Sequence, residues 1–111
     1  MNQIERLLEI TSTYQKHGWT LRRILLTAEA GTLPAHQTLA GAQVEAAAID
    51  AAWFSRPSHE QREAWELRLV AETPYALFET FESDETEEQR EEMRREMEAR
   101  MREQVAKGTG D

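Results

Sequence analysis

Within Ala64-Trp-Glu-Leu-Arg-Leu-Val70 apolar and charged side chains alternate from Trp65 to Leu69, placing Trp65, Leu67 and Leu69 on one side and Glu66 and Arg68 on the other. A period of two is the period of a strand, so this stretch sets a β-sheet at the centre of the chain. Working outward, Glu72-Thr-Pro-Tyr75 reads as a short turn, because Pro74 cannot donate to a ladder and holds Thr73 extended. Tyr75 to Glu82 then returns as a strand antiparallel to the first. On the other side, the polar run Pro57 to Glu63 is a loop, preceded by a strand over Ile49 to Arg56.

Further out the period changes. Trp19 to Thr27, rich in aliphatic residues and set off by Gly18, reads as another strand. Before it, Ile4, Leu7, Leu8, Thr11 and Tyr14 repeat at the spacing of one helical face, with Asn2 to cap and Gly18 to stop a helix over residues 2–17. Residues 28–48 are the ambiguous segment: Gly31 and Pro34 mark 28–34 as a loop, while in 35–48 the alanines favour helix and Gly41 and the position before a strand oppose it. Ser83 or Asp84 opens a final helix that runs to Lys107, leaving residues 108–111 as a flexible tail. The expected fold is α+β: an antiparallel sheet of about four strands, an N-terminal amphipathic helix and a long charged C-terminal helix. Residues 1–83 form the body, and 84–107 belong to the same domain.

The charge divides unevenly along this plan. Of the net −8, the part up to Ser83 has 7 basic and 11 acidic residues, and the shorter remainder has 6 and 10. Each part therefore carries −4. An acidic chain without a basic cluster excludes phosphate-backbone binding as a main function, so no nucleic-acid partner is expected. The absence of cysteine removes disulfides, thiolate metal sites and thiol nucleophiles, and with no signal-like N-terminus it points to the cytoplasm. No run approaches the roughly 18 apolar residues of a spanning helix, so no membrane is expected.

Within the final helix, Glu91–Arg95, Glu96–Arg100 and Glu98–Arg102 are acid-first pairs four apart, which support an isolated helix. Its apolar seam is Met93, Met97, Met101 and Val105. That seam either packs on the chain's own body or reaches a second subunit, since methionine adapts to irregular apolar surfaces. The sheet raises the same question, because Val70, Ala76, Phe78, Ala52 and Phe54 leave its second face far from polar. Both faces call for cover. The expected function is therefore a non-enzymatic interaction module, homodimeric through the second sheet face, the C-terminal helix or both, with Phe54, Phe78, Met93, Met97, Met101 and Val105 at the contact.

The alternative is a small-molecule or anionic-ligand domain, or an enzyme, with a cleft around Arg56, Glu66 and Arg68. If Arg56 and Arg68 share a face across adjacent strands, their guanidinium groups can hold a carboxylate or phosphate, with Glu66 orienting them. Cross-strand ion pairing of Arg56 or Arg68 with Glu66 is the plain structural reading of the same residues. His59 beside Glu60 has the composition of a general base, but adjacency in a loop does not fix its geometry. His17, His36 and His59 are too scattered for a metal motif, and no cofactor is implied. No Gly-x-Ser-x-Gly elbow or phosphate loop occurs, so no catalytic residue is singled out. Trp19, Trp53 and Trp65 read as core, with Trp53 and Phe54 pointing to opposite faces.

Overall fold

The computed structural model describes residues 2–30 and 41–109, with the side chains of 108 and 109 left aside. Helix α1 spans Gln3–Lys16 and begins where Asn2 Oδ1 accepts a 2.8 Å hydrogen bond from the Glu5 amide. It stops at Gly18, whose φ of +86° is a left-handed conformation open to glycine. Five strands follow: β1 Thr20–Leu26, β2 Gln43–Ala46, β3 Ala51–Pro57, β4 Glu63–Leu69 and β5 Ala76–Phe81. They form one sheet in the order β2-β1-β3-β4-β5.

The fold is α+β as expected, but the sheet has five strands, and β2 pairs parallel to β1 rather than antiparallel. The extra strand comes from the ambiguous segment. It has only four residues, two of them Gln43 and Glu45, and nothing so short and polar displays a period. Residues 31–40, within the same segment, lie outside the described residues.

Helix α2 spans Glu87–Thr109, starting three residues later than expected. Thr86 rather than Ser83 or Asp84 caps it: the Thr86 hydroxyl accepts from the Gln89 amide at 3.1 Å, and Gln89 Oε1 accepts from the Thr86 amide at 2.8 Å. This reciprocal pair is a capping box, with Gln in its third position.

The sheet lies between the two helices. On one face α1 buries Leu7 and Ile10 against Leu21, Ile24, Leu26, Ala52, Phe54 and Val70. On the other, Met97 and Met101 of α2 pack on Leu25, Ile49, Ala51, Trp53 and Leu67, with Met93 and Val105 at the margin. Trp53 and Phe54 are both fully buried on opposite faces, as their adjacency in a strand requires. A bulge in β1 between Leu21 and Arg23 turns both Arg22 and Arg23 toward the α2 side, where Arg22 Nε donates to Ser55 Oγ at 2.8 Å. Asp50 ties one end of the structure together, accepting from the Thr27 amide at 2.7 Å and from Gln3 Nε2 at 3.0 Å. Among the described residues no helix is long and apolar enough to cross a membrane.

Candidate functional site on the open sheet face

Helix α1 sits over β1 and β3 and reaches β4 through Tyr14, so among the described residues the same face is left open toward β5. Registers fix what lies there. Phe54 is opposite Glu66, Arg56 opposite Ala64, and Ala52 opposite Arg68. On the next strand Glu66 is opposite Phe78 and Arg68 opposite Ala76. Side chains directly opposite in a sheet share a face, so Arg56, Glu66 and Arg68 come to one side and Phe78 joins them, but Arg56 is level with Ala64, four residues or roughly 13 Å along β4 from Arg68, so the two guanidinium groups do not converge.

Each of these groups has a specific neighbour. The Tyr14 hydroxyl donates to Glu66 Oε2 from the last turn of α1, and the Tyr14 ring stacks on Phe54 at 4.1 Å between centroids. Burial raises the Tyr14 phenol first, and the hydrogen bond and charge of Glu66 add to it against the opposing effect of Arg68, so its pKa is pushed up to about 12. The Arg56 guanidinium lies 4.5 Å over the Trp19 ring, and its Nη1 donates to the His17 carbonyl at 3.3 Å. Arg68 Nε donates to the Leu69 carbonyl at 3.1 Å. Among the described residues no ion pair joins Arg56 or Arg68 to Glu66, because Tyr14 takes the carboxylate instead. Phe78 stays 58% exposed.

Between Phe78 and the end of α1 runs a groove of about 490 Å³, floored by Ala64 and Phe78 and walled by His17, Arg56 and His59. His17 Nδ1 lies 2.9 Å from the Thr13 carbonyl, which can only accept, so this nitrogen carries the hydrogen and Nε2 is left for other partners. His59 belongs to a tight turn in which Glu60 and Gln61 adopt φ of 57° and 64°. Glu60 turns away to Arg62 at 3.3 Å, so it does not orient His59 as a base. No protein-family model, curated protein or solved structure matches this chain. The surface therefore speaks through its chemistry alone: two cations, an engaged carboxylate and an exposed aromatic ring.

The other residues expected at an interface lie elsewhere. Phe54 is enclosed beneath Tyr14, while Met97 and Met101 are enclosed between α2 and the sheet. A second chain reaching those methionines has to displace α2, which is held by charge as well as packing. Arg23 meets the Glu91 carboxylate through two nitrogens at 3.2 and 3.3 Å, and Arg94 Nε adds a third contact at 2.9 Å. Burial opposes ionisation of Glu91, yet the hydrogen bonds and charges of Arg23 and Arg94 hold its carboxyl below the usual range. Arg94 is itself buried, 4.5 Å over the Trp65 ring. Glu98 accepts from Trp53 Nε1 at 2.8 Å. Tyr14 and the Arg23, Arg94 and Glu98 set were absent from the expected site; the only advance signal was apolar spacing for Tyr14 and a charge beside the methionine seam for Arg94 and Glu98, while Arg23 in β1 had none. Among the described residues no group of three His, Cys, Asp or Glu is placed to hold a metal.

Proposed function

We propose that this chain is a non-enzymatic cytoplasmic interaction module, acting as a homodimer, whose contact surface is the open β4–β5 part of the sheet rather than the methionine seam. One observation carries the reading: α2 closes the Trp53 face of the sheet from within the chain, while Phe78 stands exposed at the edge of the opposite face. An exposed ring on a half-covered sheet face is apolar surface that a partner can bury, and aromatic residues anchor such contacts. The reading is tested by sedimentation. The full chain should be a dimer at micromolar concentration, and Phe78→Glu should shift it to monomer while leaving its circular dichroism intact. A wild-type chain that stays monomeric overturns the reading.

A second reading has its own support in the common face of Arg56, Glu66 and Arg68, where neither guanidinium is paired with that carboxylate. There the groove beside His17 and His59 takes a small carboxylate or phosphate, held by Arg56 alone, since Arg68 stands outside the groove. Phosphate and benzoate titrations followed by NMR distinguish it: the second reading requires shifts centred on Arg56 and the groove beside it, and a homodimer requires none.

A further inference from the structure

We infer that two copies of this chain join by antiparallel pairing of their β5 strands, with Phe78 facing Phe78 of the partner subunit across the two-fold axis. The inference rests on the homodimer reading and adds the mode and register of contact. It begins with the ladder. The Leu69 amide donates to the Tyr75 carbonyl at 2.9 Å, and the Val70 amide to the Asp50 carbonyl at 2.9 Å. Antiparallel bonding alternates, so β4 turns its odd-numbered residues to β5 and its even-numbered ones to β3. On β5 it follows that Leu77, Glu79 and Phe81 bond to β4, and that Ala76, Phe78 and Thr80 aim their amides and carbonyls outward. Among the described residues β5 is the last strand in the sheet order, so these groups form an open edge.

This edge carries only light protection. Natural edges are blunted by charges, prolines or bulges, since an open row of backbone groups is a template for another strand. Here Glu79 Oε1 accepts from the outward Thr80 amide at 3.1 Å, whereas the amides of Ala76 and Phe78 meet no partner among the described residues. The exposed Phe78 ring stands beside that free amide. A strand added here acquires backbone hydrogen bonds and aromatic cover together, which is the mode of β-augmentation.

The pattern of β5 is what selects a second copy of itself. Two identical antiparallel strands related by a two-fold axis must be centred on a residue, and β5 has six residues, Ala76 to Phe81. Centring on Phe78 pairs Ala76 with Thr80 of the partner subunit and Glu79 with Leu77 of the partner subunit. No like charges then oppose each other, and the two Phe78 rings meet between the small side chains at 76 and 80. Centring on Glu79 overlaps as many residues but sets two carboxylates face to face, which is destabilising. Centring on Leu77 pairs only Ala76 to Phe78. Charge and overlap thus agree on a single register. In that register the Thr80 amide exchanges its Glu79 bond for the Ala76 carbonyl of the partner subunit.

The absence of cysteine in the chain makes the register directly measurable. Ala76→Cys and Thr80→Cys leave Phe78 in place, and at this register they lie opposite each other about 5.5 Å apart between Cα atoms, within disulfide reach. Each position is about 13 Å from its own copy, out of reach. Oxidising an equimolar mixture of the two variants should give the heterodisulfide, and oxidising either variant alone should give none. A disulfide within either single variant, or an intact dimer by sedimentation with no heterodisulfide, overturns the β5 register and leaves the homodimer standing. Monomer in sedimentation overturns both.

Discussion

Tyr14 shows how one side chain couples the helix to the exposed face, since its ring covers Phe54 while its hydroxyl reaches Glu66 on the neighbouring strand. Its phenol is held neutral to about pH 12, whereas an unfolded tyrosine ionises near its ordinary value of 10.0. The folded value is the higher one, so the stability that Tyr14 contributes is complete below the unfolded value and is lost as pH rises through the folded one. In the Tyr75→Phe background the remaining phenol should titrate near pH 12 by ultraviolet absorbance; a midpoint near 10 would show that neither the burial of the Tyr14 phenol nor its Glu66 contact persists in solution. Apolar spacing was enough to place Tyr14 on the inner face of α1. Its partner, 52 positions away, depends on how far the helix overhangs β4, which no local pattern encodes. Glu98 makes the same point in reverse, because spacing assigns it to Arg102 on the helix surface while the fold turns it inward to the Trp53 indole. A buried indole N–H needs an acceptor, and that need outweighs a surface ion pair of a few tenths of a kcal/mol.

Among the elements, α2 resolves what the mixed alternation of the strands left open. Val70, Ala52 and Phe54 on one side and Leu67 and Trp53 on the other do demand cover on both faces, and the chain supplies both helices. The four expected strands recur within two residues of their sequence positions, because each has either a clear period or a sharp boundary at Gly18, Pro57 or Pro74. Strand β2 has neither, and its pairing depends on a parallel register with β1 that only the tertiary structure can provide. The methionine seam could be seen in the sequence as apolar, but what it packs against could not. With Met101 fully buried, Met101→Ala removes its packing and leaves a cavity, and should cost about 3 kcal/mol in urea unfolding. Because α2 packs on its own sheet, the same variant should self-associate as the wild type does under conditions where both are folded. A dimer constant that weakens in step with stability would instead put the seam at the subunit contact.

For the whole molecule the charge decides how association responds to salt. Each copy carries −8 on a body of 39 × 35 × 22 Å, so two copies repel as they approach. The proposed contact has Phe78 at its centre and sets Glu79 against Leu77 of the partner subunit, so its attraction comes from apolar burial and backbone hydrogen bonds rather than from opposite charges. Salt screens the repulsion and leaves that attraction in place, shortening the Debye length from about 30 Å at about 0.01 M to about 8 Å at about 0.15 M. The dimer dissociation constant should therefore fall several-fold over this range. An anion held by Arg56 must behave in the opposite way, binding more weakly as salt competes for the guanidinium group. Sedimentation equilibrium across the salt series separates the two, and a dimer that loosens with salt would mean that opposite charges join the copies somewhere other than at β5.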